Sequence, residues 1–119
     1  MTADKGRSRK SSSVRLVGPT LAAALLAAPA MTAGADFTVI QRNQEFSVRQ
    51  LTVKVGDRVT FVNSDTVTHN VYSETRGSEF EIELQPPGRA DSVRFSRPGV
   101  VEVRCAIHSL MKLHVDVRQ

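Results

Sequence analysis

The chain has 119 residues, a formal net charge of +4 and a single cysteine. That length allows one domain, one cysteine excludes an internal disulfide framework, and no apolar run approaches the ~18–20 residues of a spanning helix. The charge is confined to one end: residues 1–35 hold Lys5, Arg7, Arg9, Lys10 and Arg15 against Asp4, whereas residues 36–119 hold eleven basic and eleven acidic residues. The larger part is formally neutral and carries no bulk charge to draw it to nucleic acid or a membrane surface.

A basic stretch ends at Arg15, an Ala/Leu-rich stretch runs from Leu16 to Ala28, and small residues dominate up to Ala33-Gly34-Ala35. This is the three-part plan of a secretory signal peptide. The cut is expected after Ala35, with Ala28-Pro29-Ala30 as the alternative. No adjacent Arg pair is present in the leader, which favours the Sec route. Residues 36–119 then form the mature domain in the periplasm or cell exterior, an oxidising setting, with no integral membrane span left after cleavage. Small secreted domains commonly carry a staple. Without disulfides, a metal is the first alternative.

Residues 36–119 read as strands throughout. Phe37 to Ile40 and Phe46 to Val48 are the weaker candidates. Leu51, Val53 and Val55 alternate with polar residues, Gly56-Asp57 marks a turn, and Val59, Phe61 and Asn63 alternate again. Phe80, Ile82 and Leu84 are expected to face inward, with Glu79, Glu81 and Glu83 as a solvated outer stripe. Val93 and Phe95 follow Pro86-Pro87-Gly88, then Val101, Val103 and Cys105 follow Pro98-Gly99, and Leu113, Val115 and Val117 close the chain. No helical period interrupts them. About seven short strands separated by turn signals predict an all-β sandwich or barrel.

Cys105, His108 and Met111 fall within seven residues, and His69 lies 36 residues upstream of the cysteine. Thiolate, two imidazoles and a thioether are the donor set of a blue-copper electron-transfer site. Strand parity supports the grouping. Cys105 continues the inward phase of Val101 and Val103, Met111 shares the phase of Leu113 to Val117, and His69 shares that of Val71. His114 has the opposite parity and is excluded as a ligand. An unpaired cysteine in a secreted chain already asks for a role.

With these residues, LTVKVGDRVTFVNSDTVTHNV and PGVVEVRCAIHSLMKLHVDV resemble the cupredoxins of the plastocyanin and amicyanin type over nearly all of residues 37–118. The two residues between His108 and Met111 are similar to the short ligand loop of amicyanin. The resemblance implies a Greek-key β-sandwich of seven to eight strands with mixed pairing. It implies one copper ion cycling between Cu(I) and Cu(II), with His69, Cys105 and His108 near-trigonal and Met111 as a long axial ligand. Partners would dock on an apolar patch near His108, formed here by Val67, Ile107 and Leu110. Two positions depart from the family. Ala106 stands where Ser or Thr commonly bonds the asparagine after the first histidine, so that tie to Asn70 is expected to be absent. Ile107 stands where proline is common.

The saturated donor set leaves no open position for substrate, so a one-electron carrier is expected and not an enzyme. The alternative is a periplasmic copper-binding or copper-delivery protein without electron transfer. A binuclear centre would need a second cysteine, and a multicopper oxidase would need histidines where Arg104 and Ala106 stand. The resemblance suggests an amine dehydrogenase or a c-type cytochrome as redox partner. The mature domain is expected to be a monomer.

Overall fold

The computed structural model describes residues 2, 6, 12–24, 26 and 34–119. The chain divides into two compact units, Met1–Ala30 and Met31–Gln119. Among the described residues of the first there is neither helix nor strand, and among all described residues no helix is long and apolar enough to cross a membrane. The alternative cleavage motif Ala28-Pro29-Ala30 and most of the small-residue stretch lie outside the described residues.

The described residues of the second unit form nine strands: β1 Asp36–Arg42, β2 Glu45–Phe46, β3 Gln50–Lys54, β4 Arg58–Asn63, β5 His69–Ser73, β6 Phe80–Gln85, β7 Ala90–Arg94, β8 Gly99–Arg104 and β9 Lys112–Arg118. The two-residue β2 takes the number above the seven to eight expected. It exists because Asn43 and Gln44 both adopt positive φ, 52° and 58°, the backbone that a two-residue hairpin loop requires. One sheet runs β2-β1-β4-β7 and the other β3-β9-β8-β5-β6. β1 pairs parallel with β4 and β3 parallel with β9, while the remaining pairs are antiparallel. This is the all-β sandwich expected from alternation, with the mixed pairing that the family resemblance implies.

Alternating apolar residues of both sheets meet in one core. Val39, Val59 and Phe61 come from the first sheet, and Val53, Val71, Val101, Val103, Leu113, Val115 and Val117 from the second. Each strand presents every second residue inward because successive side chains point to opposite faces.

β6 breaks the rule, and there the sequence expectation fails. Leu84 is 65% exposed and Gln85 is fully buried. The ladder pairs Val71 with Ile82 but His69 with Gln85, so β6 carries one extra residue over this stretch. Such a bulge inverts the parity of everything beyond it, which turns Leu84 out and Gln85 in.

Gly34 and Ala35 are built into the second unit. The Ala35 N–H donates to Asp57 Oδ1 at 2.8 Å, and its carbonyl accepts from the Arg58 N–H at 2.9 Å. Asp57 is buried and its other oxygen accepts the Lys54 N–H at 2.7 Å. A side chain at Gly34 would run into the Gly56 carbonyl. A chain beginning at Asp36 loses both Ala35 bonds, whereas one beginning at Met31 keeps them. Two such bonds, one to a carboxylate, contribute about 1–2 kcal/mol. The Asp36 form is therefore expected to melt ~5–10 °C below the Met31 form. Equal melting temperatures in a calorimeter would show the Ala35 contacts to be energetically idle.

Candidate metal centre

Three elements deliver the expected ligands to one end of the sandwich. His69 opens β5, Cys105 follows directly on β8, and Met111 directly precedes β9. The antiparallel β8–β9 pair sets the two ends of the intervening loop side by side, with Arg104 opposite Lys112. The Met111 N–H closes that loop on the His108 carbonyl at 3.0 Å. His69, Cys105 and Met111 are buried, and His108 is half-buried. His114 points outward, 3.7 Å from Glu102, as its parity indicated.

The donor atoms converge. His69 Nδ1 and His108 Nδ1 are 3.1 Å apart, and Cys105 Sγ is 3.9 Å from the first and 3.8 Å from the second. Among the described residues this trio is the group of His, Cys, Asp and Glu side chains close enough to share a metal ion. A trigonal ion with N and S bonds of ~2.05 and ~2.3 Å spans N–N and N–S edges of about 3.5 and 3.8 Å. The sulfur edges match, and the nitrogens sit slightly closer. Histidine and thiolate in this triangle, with a buried thioether at the end of the same loop, fit copper.

Hydrogen bonds around the trio orient its members. His69 Nε2 lies 2.9 Å from Asp65 Oδ2. A carboxylate only accepts, so Nε2 carries the proton and Nδ1 presents its lone pair to the centre. The Gln44 N–H, then the His69 ring and the Thr66 N–H, hold the Asp65 carboxyl down at about 2 against a desolvation cost. Asp65 therefore stays ionised and fixes the His69 tautomer across the neutral range. The Asn70 N–H points at Cys105 Sγ, 3.5 Å away, and holds the sulfur in place.

The tie between the two loops is present, contrary to the expectation drawn from Ala106. Asn70 Oδ1 accepts the Ala106 backbone N–H at 3.3 Å, so main chain serves in place of a hydroxyl. The Asn70 amide also donates to the Ile82 and Glu83 carbonyls, each at 3.2 Å, which anchors it on the β6 bulge.

Residues 33–118 match the family of copper binding proteins that comprises plastocyanin and azurin. The chain belongs to that family: it is a cupredoxin. It is 32% identical over 105 residues to the methylamine utilization protein MauL of Methylorubrum extorquens, covering 87% of this chain and 92% of MauL. It is 30% identical over 77 residues to amicyanin-alpha of the same organism, covering 61% of this chain and 64% of that one. A solved structure of a reduced amicyanin variant superposes with a TM-score of 0.64 at 28% identity, over 71% of this chain and 83% of that one. These likenesses make the cupredoxin one of amicyanin type, and copper is its cofactor.

Asp65, Gln44 and the bulge partner of Asn70 were absent from the sequence reading. Asp65 had one visible signal, its position four residues before His69 in a turn-forming Asn63-Ser64-Asp65 run. Gln44 acts through its main chain, which no side-chain pattern reports.

Proposed function

We propose that this cupredoxin is an exported one-electron carrier that holds a single copper ion on His69 Nδ1, Cys105 Sγ and His108 Nδ1, with Met111 as the weak axial donor. The observation that carries the reading is the donor triangle of 3.1, 3.8 and 3.9 Å, held by a stiff sandwich. When bound, copper supplies a Cu(I)/Cu(II) couple. The chain supplies rigidity. Asp65 holds the His69 ring, Asn70 donates to the thiolate, and the short loop fixes His108 against Met111. A site that rearranges little between oxidation states exchanges electrons quickly. All four donors come from the chain, which leaves no position for substrate and favours a carrier over an enzyme.

His108 is the half-buried member and the natural route to the surface. Ile107 is 54% and Leu110 93% exposed beside it, and both line a surface hollow with His108 and Lys112. Val67 is also exposed at 36%. These apolar side chains, beside a hollow that Glu45, Arg49 and Lys112 also line, suit brief contacts with redox proteins. The likeness to MauL, a methylamine utilization protein, supports a place in amine metabolism; the partners read for such a carrier are an amine dehydrogenase and a c-type cytochrome. The export signal is read within residues 1–35. The Ala35 hydrogen bonds favour the alternative cut after Ala30, because that cut keeps them.

Copper delivery is the competing reading. For a carrier, electron self-exchange followed by NMR line broadening is expected to be rapid, while a Cu(I) chelator removes the metal slowly. Fast copper hand-off with sluggish self-exchange would establish delivery instead.

A further inference from the structure

Gln85 occupies a costly place. Turning Leu84 to solvent and a glutamine into the core forfeits apolar burial and desolvates an amide. An unbulged β6 would do the reverse. The amide is nevertheless almost completely bonded, and its partners lie on all three long strands of the opposite sheet. Gln85 Nε2 donates to the Phe61 carbonyl on β4 at 2.9 Å and to Asp91 Oδ2 on β7 at 3.1 Å. Its Oε1 accepts from Gln41 Nε2 on β1. The direction of the chain is forced. Phe61 O and the Asp91 carboxylate can only accept, so Gln85 turns its nitrogen to them and its oxygen to Gln41. Gln41 must answer with its nitrogen, and its own Oε1 is left buried without a partner among the described residues.

Two arms lead from this clamp to the segment before His69. The Gln85 main-chain carbonyl accepts from Asn63 Nδ2 at 2.7 Å, and the same nitrogen donates to the Val67 carbonyl at 2.9 Å. Asn63 Oδ1 accepts the Asp65 N–H at 2.9 Å. On the other arm, the Gln41 carbonyl accepts the Ser64 N–H at 2.9 Å. Residues 64–68 belong to no strand, so these bonds and the Gln44 contact do the work of a ladder. Asp65, placed by them, holds His69 Nε2 at 2.9 Å. Gln85 is also the ladder partner of His69 itself.

We propose that Gln85 is a positioning residue of the metal centre: with Gln41 and Asn63 it locks the two sheets at this end and fixes the segment 64–68, and so the His69 ring. The proposal rests on His69 being a copper ligand, as read above. Apolar packing alone is non-directional and lets two sheets slide by fractions of an ångström. A set of oriented hydrogen bonds does not. The cost of a buried amide and an orphaned oxygen then has a return in ligand geometry.

The test is Gln85→Met, which keeps length and removes the amide. In the copper-free full domain, exchange of the His69 Nε2 proton, followed by 15N NMR, is expected to quicken at least ~10-fold, with the His108 ring signals unmoved. Copper affinity is expected to fall by up to ~10-fold, the low end of what losing an outer partner of a ligand costs, because Asp65 itself is retained. Unchanged His69 exchange and unchanged affinity, with only a lower melting temperature, would overturn the proposal and leave Gln85 a packing residue. If Gln85→Met does not fold, Asn63→Asp carries the same expectations, since it keeps the Oδ1 acceptor and removes both amide donations. The two readings fail separately. Wild-type protein that binds no blue copper sinks the ligand assignment, while the copper-free proton exchange still reports on the clamp.

Discussion

Cys105→Ser is expected to abolish the intense blue absorption of the copper-loaded protein while leaving the metal-free fold intact. The colour of a type 1 site arises from charge transfer between thiolate sulfur and Cu(II), and serine offers a hard oxygen that stays protonated near neutrality. The substitution is nearly isosteric at a position 3% exposed, and the Asn70 N–H that now faces Sγ can donate to the new hydroxyl. A destabilisation of about 1 kcal/mol or less follows from exchanging one small, hydrogen-bonded side chain for another. The variant should therefore show native-like NMR dispersion without copper and no blue band with it. A blue band surviving in the variant, or a colourless copper complex of the parent, would remove Cys105 from the ligand set.

The same residue bears on the choice between carrier and delivery protein. A delivery site has to surrender its metal, so its ligands gain from exposure and mobility. Here three of the four proposed donors are buried, the His69 ring donates a fixed hydrogen bond to Asp65, and the cysteine sulfur accepts one from the Asn70 N–H. Half-buried His108 alone reaches the surface. That arrangement admits an electron more readily than it releases an ion.

Much of this was open to sequence reasoning, and the failures share a cause. Alternation located the strands and the inward phase of Cys105, Met111 and His69 because a two-residue period maps directly onto the two faces of a sheet. The same argument misplaced Leu84, because a bulge of one residue resets the phase and leaves no mark in composition. The hairpin residues Asn43 and Gln44 lack the glycine that usually announces positive φ. The side chain of Ala106 predicts no tie to Asn70, yet the donor is the Ala106 main chain, which every residue but proline supplies. Period reports side-chain direction. It is silent on main-chain donors, and the supporting shell of this site is built largely from them.

Phe61→Ala is expected to cost about 3–5 kcal/mol of stability, the usual loss for removing a fully buried phenylalanine. Phe61 has no exposed surface and lies between Phe46 and Phe80, each 6.2 Å away by ring centroid. It is also the β4 residue whose carbonyl receives the Gln85 amide, so the cavity opens directly beneath the clamp. A domain of this size has roughly 4–13 kcal/mol in total. The metal-free variant should therefore lose a large share of its stability, visible as a urea midpoint shifted toward zero with an unchanged slope. Copper binds the folded form and should restore it, by about 4 kcal/mol when free metal exceeds the dissociation constant a thousandfold. Leu110→Ala, at a side chain 93% exposed, should stay within about 0.5 kcal/mol of the parent. A Phe61→Ala loss below about 1 kcal/mol would mean that the sandwich core collapses around the gap. A variant that copper fails to rescue would mean that the ligand triangle depends on the packing beneath it, and that the two sheets are coupled through Phe61 as much as through Gln85.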